Sequence, residues 1–75
     1  MSDLELRIRN QRSKVKRLEM GIGRARTLIR RHPSVASYRD LHDTQTRALQ
    51  TAREELSALE ERFAKRRAQS EAGAA

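Results

Sequence analysis

The side chains that most often carry catalysis or bind metals are sparse in this sequence. It contains no cysteine, so no thiolate can serve as a nucleophile or a metal ligand. His32 and His42 are the only histidines. They lie ten residues apart on either side of a proline, a spacing that matches no metal-binding motif. We expect no metal site.

Other patterns associated with enzymes lack their structural context. The segment Gly21-Ile22-Gly23 falls inside a predicted helix and lacks the strand–turn–helix setting of a phosphate-binding loop. No serine or threonine is accompanied by a base and an orienting third group, as nucleophilic catalysis requires. Two long helices, the elements predicted below, also offer no concave pocket that could exclude water. The sequence therefore predicts no enzyme activity, no catalytic residue and no cofactor.

The composition is typical of long helices or coiled coils. Charged residues make up 36% of the chain, aromatic residues 3%, and glycine and proline are scarce. The 75 residues can form at most one small domain. No apolar run approaches the roughly 18 residues that a membrane span needs, and the first residues lack the apolar stretch of a secretion signal. We expect a cytoplasmic protein, and the absence of cysteine fits a reducing compartment.

One strong break divides the helical pattern. Pro33 cannot continue a helix and disfavours the helical conformation of the preceding residue, whereas it fits the first turn of a following helix. We therefore predict a helical hairpin over residues 1–69, and its parts are a first helix at 3–31, a turn at 32–34 and a second helix at 35–69. Residues 70–75 are predicted to form a disordered tail.

Both predicted helices carry a seam in which residues recur at alternating steps of three and four, the a/d pattern of a coiled coil. In the first helix the seam consists of Leu4, Ile8, Gln11, Val15, Leu18, Ile22, Ala25 and Ile29. In the second helix it consists of Tyr38, His42, Gln45, Leu49, Ala52, Leu56, Leu59 and Phe63. In both helices the first residue of the seam is a d position and the next an a position. When the helices are laid antiparallel about the turn, the residue numbers of all eight facing pairs have the same sum. The sequence therefore predicts an all-α fold, an antiparallel two-helix coiled-coil hairpin.

The predicted core is small and imperfect. Three seam residues are polar, and Gly21 and Gly23 lie mid-helix, where a glycine costs about 1 kcal/mol relative to alanine. A hairpin of this size buries a single seam, and cores of this size are marginal. We therefore expect the chain to self-associate, as a homo-oligomer when alone, or to bind a protein that completes its core.

Small, mostly uncharged side chains follow the b and c positions of the second helix, with two more residues on their flank. Small side chains let another helix approach closely, whereas a solvated face would normally carry more lysine and glutamate. We therefore treat this stripe as a candidate protein-binding surface, with a bland solvated surface as the alternative. The candidate partner-binding residues are Ala36, Ser37, Leu41, Thr44, Ala48, Thr51 and Ala58.

The net charge of +7 comes entirely from the first half of the chain. Residues 1–32 contain ten arginines and lysines against three acidic residues, and residues 33–75 contain seven of each. The candidate face for an anionic partner consists of Arg9, Lys16, Arg17, Arg24, Arg30 and Arg31. These side chains could neutralise nucleic-acid phosphates, although aromatic residues that would stack on bases are missing. A solubilising surface is the alternative interpretation.

The sequence also contains a pattern seen in one family. Its residues are Leu18-Glu19-Met20, Arg30-Arg31, Tyr38 and Arg47-Ala48-Leu49-Gln50. With this spacing, the chain resembles the small co-chaperones of bacterial type III secretion systems, the E-type partners of the needle-subunit chaperone. The resemblance implies a cytoplasmic hairpin that stabilises a tetratricopeptide-like chaperone, with which it shields the needle subunit from early polymerisation. Two other functions stay open: a bacterial or phage hairpin that inhibits a regulator, and a basic hairpin that binds the backbone of RNA or DNA.

Overall fold

The chain folds into two long helices that pack against each other as an antiparallel hairpin. The computed structural model describes residues 2–74, and for residues 72 and 74 it describes the backbone alone. Helix α1 spans Asp3–Arg31 and helix α2 spans Ala36–Ala74. The molecule is a rod measuring 63 × 17 × 14 Å. The predicted all-α helical hairpin is confirmed.

Helix α1 begins at a serine cap. Ser2 has extended backbone angles, φ −75° and ψ 159°, and its Oγ accepts a hydrogen bond of 3.2 Å from the backbone N–H of Glu5. This bond satisfies one of the N–H groups that a helix start leaves without a partner. Asp3 and Glu5 in the first turn and Arg30 and Arg31 in the last turn have the signs that the helix dipole favours.

The turn between the helices is closed by local hydrogen bonds. The N–H of His32 donates to the carbonyl oxygen of Leu28 at 2.8 Å and ends α1. The N–H of Val35 then donates to the carbonyl oxygen of His32 at 3.2 Å, and the carbonyl of Val35 accepts from Tyr38. The rings of His32 and Tyr38 lie 6.0 Å apart across the turn. These contacts hold the reversal of the chain around Pro33.

The bounds of α2 differ from the prediction at both ends. The helix begins at Ala36 rather than at residue 35, because the N–H of Val35 closes the turn and its carbonyl serves the first helical bond. It also continues past residue 69, so the predicted disordered tail is helical over 70–74, and residue 75 lies outside the described part of the chain. The segment after residue 65 contains four alanines and two arginines, which favour a helix, and has no proline. Gly73, near the end, costs only about 1 kcal/mol relative to alanine.

The structure buries its side chains at the predicted seam. All sixteen seam residues are buried or half-buried. The most deeply buried apolar ones are Leu4, Ile8, Ile22, Ala25, Leu49 and Ala52. The only other residues of the described chain that are not exposed are Gly21, Leu28 and Val35. A single core therefore runs along the hairpin, and it is one seam wide.

The polar seam residue Gln11 joins the two helices directly. Its Nε2 donates to the backbone oxygen of Ala52 at 2.9 Å and to a carboxylate oxygen of Glu55 at 3.2 Å. Leu56 faces Gln11 in the predicted register, and Ala52, whose carbonyl accepts the bond, is the preceding seam residue of α2. A half-buried amide that bonds across the seam favours one register, because a shift of one helix would leave it without these partners.

Candidate docking face

Two flanks run along the seam, and ion pairs cross only one of them in the described part of the chain. The charged flank is formed by the e positions, where Arg53 pairs with Glu19 at 3.0 Å and Arg12 pairs with Glu60 at 3.7 Å. All four side chains are exposed, so each pair contributes roughly 0.2–1 kcal/mol. Four charged side chains of this flank are thus paired within the hairpin, whereas Arg26, also at an e position, forms no ion pair with any other described residue.

The open flank lies on the other side of the seam, at the g positions nearest the turn. It is formed by Gly21 and Leu28 of α1 and by Leu41 and Ala48 of α2, which the antiparallel register places opposite each other. None of the four is charged. Leu28 is half-buried, and Leu41 is 43% exposed. The open flank is therefore an apolar surface beside the core, called the apolar shoulder below, and no other part of the described chain covers it.

The helices approach closely at the middle of the open flank. A Cβ placed on Gly21 would lie 2.8 Å from Nε2 of Gln45, so the amide end of Gln45 occupies the space beside the glycine. The Oε1 of the same amide is buried and has no hydrogen-bond partner. Gly21 therefore makes room for a polar seam residue.

Six of the seven predicted partner-binding residues lie together on the side of the open flank. Leu41 and Ala48 are at g positions, and the neighbouring c positions carry Ser37, Thr44, Thr51 and Ala58. All are exposed. Ala36 is also exposed but lies at a b position, on the side of the charged flank, so the register separates it from the other six. These c and g positions of α2 form the small-residue strip. The carboxylate at a g position on this side of α2 belongs to Glu55, which accepts the hydrogen bond from Gln11.

The predicted basic residues of α1 are all exposed, but they form two rows rather than one face. Arg17, Arg24 and Arg31 occupy c positions, beside the open flank. Arg9, Lys16 and Arg30 occupy b positions, beside the charged flank. None of the six forms an ion pair with any residue in the described range 2–74. Leu6 and Met20, the latter 58% exposed, lie at the f positions between the two rows.

Leu28 and Gly21 are parts of this surface that the sequence analysis did not assign to it. Leu28 lies outside the a/d seam, and the pattern that identifies the seam counts only a and d positions. The available signal was an apolar residue at a g position of α1, opposite another apolar residue, Leu41, at a g position of α2. The two leucines together broaden the apolar surface near the turn.

The described residues show little that would support chemistry. No group of three or more histidine or acidic side chains among them could hold a metal ion. Several shallow, open surface depressions lie along the charged flank and the b positions of both helices, where Glu19, Arg53 and Gln50 are among the lining residues. His42 is half-buried in the seam, with Nδ1 3.7 Å from a carboxylate oxygen of Asp43.

Neither described helix has an apolar stretch long enough to cross a bilayer.

Comparisons with known proteins add no relative: no family model, no curated protein and no solved structure matches the chain. The resemblance to type III secretion co-chaperones accordingly stays a prediction. The surface of the hairpin itself must therefore carry any argument about function.

Proposed function

We propose that this protein is a protein-binding helical hairpin and that it docks a helix of another protein on the open flank. The observation that carries the proposal is the 43% exposure of Leu41 beside half-buried Leu28, on the one flank that no ion pair crosses within residues 2–74. An amphipathic helix laid along this flank would cover both leucines.

Side-chain size also favours a helix as the bound element. Ala48, Thr51 and Ala58 present small side chains along one side of α2, and Gly21 has none. Small residues lower the surface of a helix and let a neighbouring helix approach closely. A docked helix would then meet the hairpin much as α1 and α2 meet each other, with side chains interleaved along one stripe.

Burial energetics point the same way. Only six apolar residues of the described chain are buried, so the hairpin has a core one seam wide. Covering Leu41 and Leu28 would remove further apolar area from water, at about 25 cal/mol per Å². A third helix would therefore both form a complex and raise the stability of the hairpin, because binding to the folded state stabilises that state.

The family resemblance supplies a specific form of the proposal. In it, the partner is a tetratricopeptide-like chaperone of a type III secretion needle subunit, and this hairpin acts as the cytoplasmic co-chaperone that stabilises it. A tetratricopeptide repeat is a pair of helices, and the open flank suits a helix of such a repeat. Inhibition of a regulator would use the same surface and differ only in the partner.

The test is capture of partners by the tagged protein from nuclease-treated native lysate at moderate salt, followed by mass spectrometry. Thr51→Arg and Ala58→Arg each place a long cation on the small-residue strip and should abolish retention of the partner. The adjacent substitutions Gln50→Arg and Ser57→Arg are the matched controls, because they make similar changes on the other side of α2. They should leave retention unchanged, and circular dichroism should show equal helicity in all four.

Each outcome separates the candidate functions. A stoichiometric helical-repeat protein that is lost in the Thr51 variant supports the co-chaperone form, and a regulator lost in the same way supports the inhibitor form. Equal retention by Thr51→Arg and Gln50→Arg would remove the open flank from the interface. If no protein is retained after nuclease, while RNA or DNA co-purifies without it, the basic residues of α1 are the functional ones.

A further inference from the structure

Given the proposed docking of a helix, on which this inference rests, we further propose that the docked helix is acidic along one edge. The groups that select it are the guanidinium groups of Arg17, Arg24 and Arg31. The partner is thus an amphipathic helix whose apolar stripe covers Leu28 and Leu41 and whose carboxylates meet this arginine row.

The three arginines form a row because of their spacing. They are seven residues apart, which is about two helical turns or 10.5 Å along α1. All three occupy c positions, immediately beside Gly21 and Leu28. The row is therefore parallel to the apolar shoulder and spans about 21 Å of it, a length matched by a helix of some 14 residues.

The opposite wall of the open flank has a different character. In the register that the seam predicts, Ser37 lies across from Arg31, Thr44 across from Arg24 and Thr51 across from Arg17. One wall is thus cationic at every heptad, and the other is small and uncharged. A helix lying between them meets cations along one edge only, so its own charges are selected on that edge.

The hairpin does not neutralise this row itself. On the charged flank, by contrast, Arg12 pairs with Glu60 and Arg53 pairs with Glu19. Arg17, Arg24 and Arg31 are exposed and pair with no carboxylate of the described residues. Arginine presents a planar fork that binds carboxylates through two parallel hydrogen bonds, which adds direction to the attraction.

A second copy of this chain is a poor match for the same surface. If two copies met through this surface, each would offer the arginine row of the other either arginines or the serine and threonines of α2, and Glu55 is already bonded to Gln11. Each copy also carries a net charge of +7, which adds repulsion. Charge complementarity therefore favours a partner of different sequence.

The experiment uses the full chain and two synthetic helical peptides of about 21 residues with identical apolar stripes. One peptide carries glutamate along one edge of the stripe, and the other carries lysine at the same positions. Binding is measured by fluorescence anisotropy at about 50 mM and about 500 mM salt, since salt screens exposed charge pairs. A DNA duplex of similar length serves as a third probe.

We expect the glutamate peptide to bind about tenfold or more tightly than the lysine peptide at low salt, and the difference to shrink at high salt. The triple variant Arg17→Glu, Arg24→Glu and Arg31→Glu should reverse the preference. The matched control is Arg9→Glu, Lys16→Glu and Arg30→Glu, which makes the same change of charge at the b positions and should keep it. Leu41→Arg should abolish binding of both peptides.

The failures are distinguishable. Equal binding of the two peptides, lost in Leu41→Arg, would overturn the acidic edge and leave the docking function standing. Binding of neither peptide would overturn both proposals. Tighter binding of the duplex than of the glutamate peptide, weakened equally by the two triple variants, would assign the basic side chains to a nucleic-acid backbone.

Discussion

The amide of Gln45 lies against the backbone of Gly21. The glycine has no Cβ, and the amide occupies the space that a Cβ would take. A Cβ on residue 21 would be 2.8 Å from Nε2 of that amide, closer than real Cβ atoms approach their neighbours. Gly23, two residues later, has no neighbour within 4 Å of the same position. Of two glycines that look alike in the sequence, one admits a seam side chain and the other is unconstrained.

This difference predicts unequal effects of alanine substitution. Gly23→Ala should raise the free energy of unfolding by about 1 kcal/mol, because alanine is the better helix former and its Cβ meets open space. Gly21→Ala should gain less, because the end of Gln45 must move away. Urea unfolding followed by circular dichroism measures both. A larger gain at residue 21 than at residue 23 would show that the close approach is absent.

The two glutamines of the seam should respond in opposite directions to methionine, a side chain of similar length. Gln45→Met should stabilise the hairpin by about 1 kcal/mol, because Oε1 of Gln45 is buried without a hydrogen-bond partner. Gln11→Met should destabilise it by a similar amount, because Nε2 of Gln11 bonds to Ala52 and Glu55. Equal shifts of the melting temperature in the same direction for the two variants would contradict this assignment.

The register can be read by cross-linking, because the chain has no native cysteine. Val15→Cys with Ala52→Cys places two thiols in one layer of the seam. A short thiol-to-thiol cross-linker should then join them within one chain. The control, Val15→Cys with Leu59→Cys, displaces one thiol by a heptad, or about 10.5 Å, and should react little. Joined pairs of chains, detected by mass, would instead report the self-association that the sequence predicts.

The cap of α1 should contribute measurably to stability. Ser2→Ala removes the acceptor for the N–H of Glu5 and should lower the free energy of unfolding by about 1 kcal/mol. Ser2→Asp should retain most of it, because a carboxylate accepts the same bond and has the sign that a helix N-terminus favours. A Ser2→Ala protein that melts at the temperature of the parent would mean that the cap does not contribute.

The hairpin and its register were determined by the sequence alone. In each helix the seam residues, from Leu4 in the first to Phe63 in the second, recur at alternating spacings of three and four residues, which places them on one stripe of the helix surface. Pro33 ends the first helix, so that the chain can reverse between the two. The limits of α1 followed from the same pattern. The end of α2 did not, because no seam residue lies beyond Phe63 and helix propensity alone, which is a weak guide, carries the last turns to Ala74.

Tertiary structure decided what lies beside the seam. The heptad pattern already assigns Ala36 and Ala58 to different sides of α2, but only the packed helices show which of those sides ion pairs cross. The basic residues likewise divide into two rows, and only Arg17, Arg24 and Arg31 adjoin the open flank. Periodicity locates the buried stripe of one helix, whereas flanks arise only where two helices meet. The contacts that distinguish the flanks, Glu19 with Arg53 on one and Gln45 with Gly21 on the other, join residues far apart in the chain.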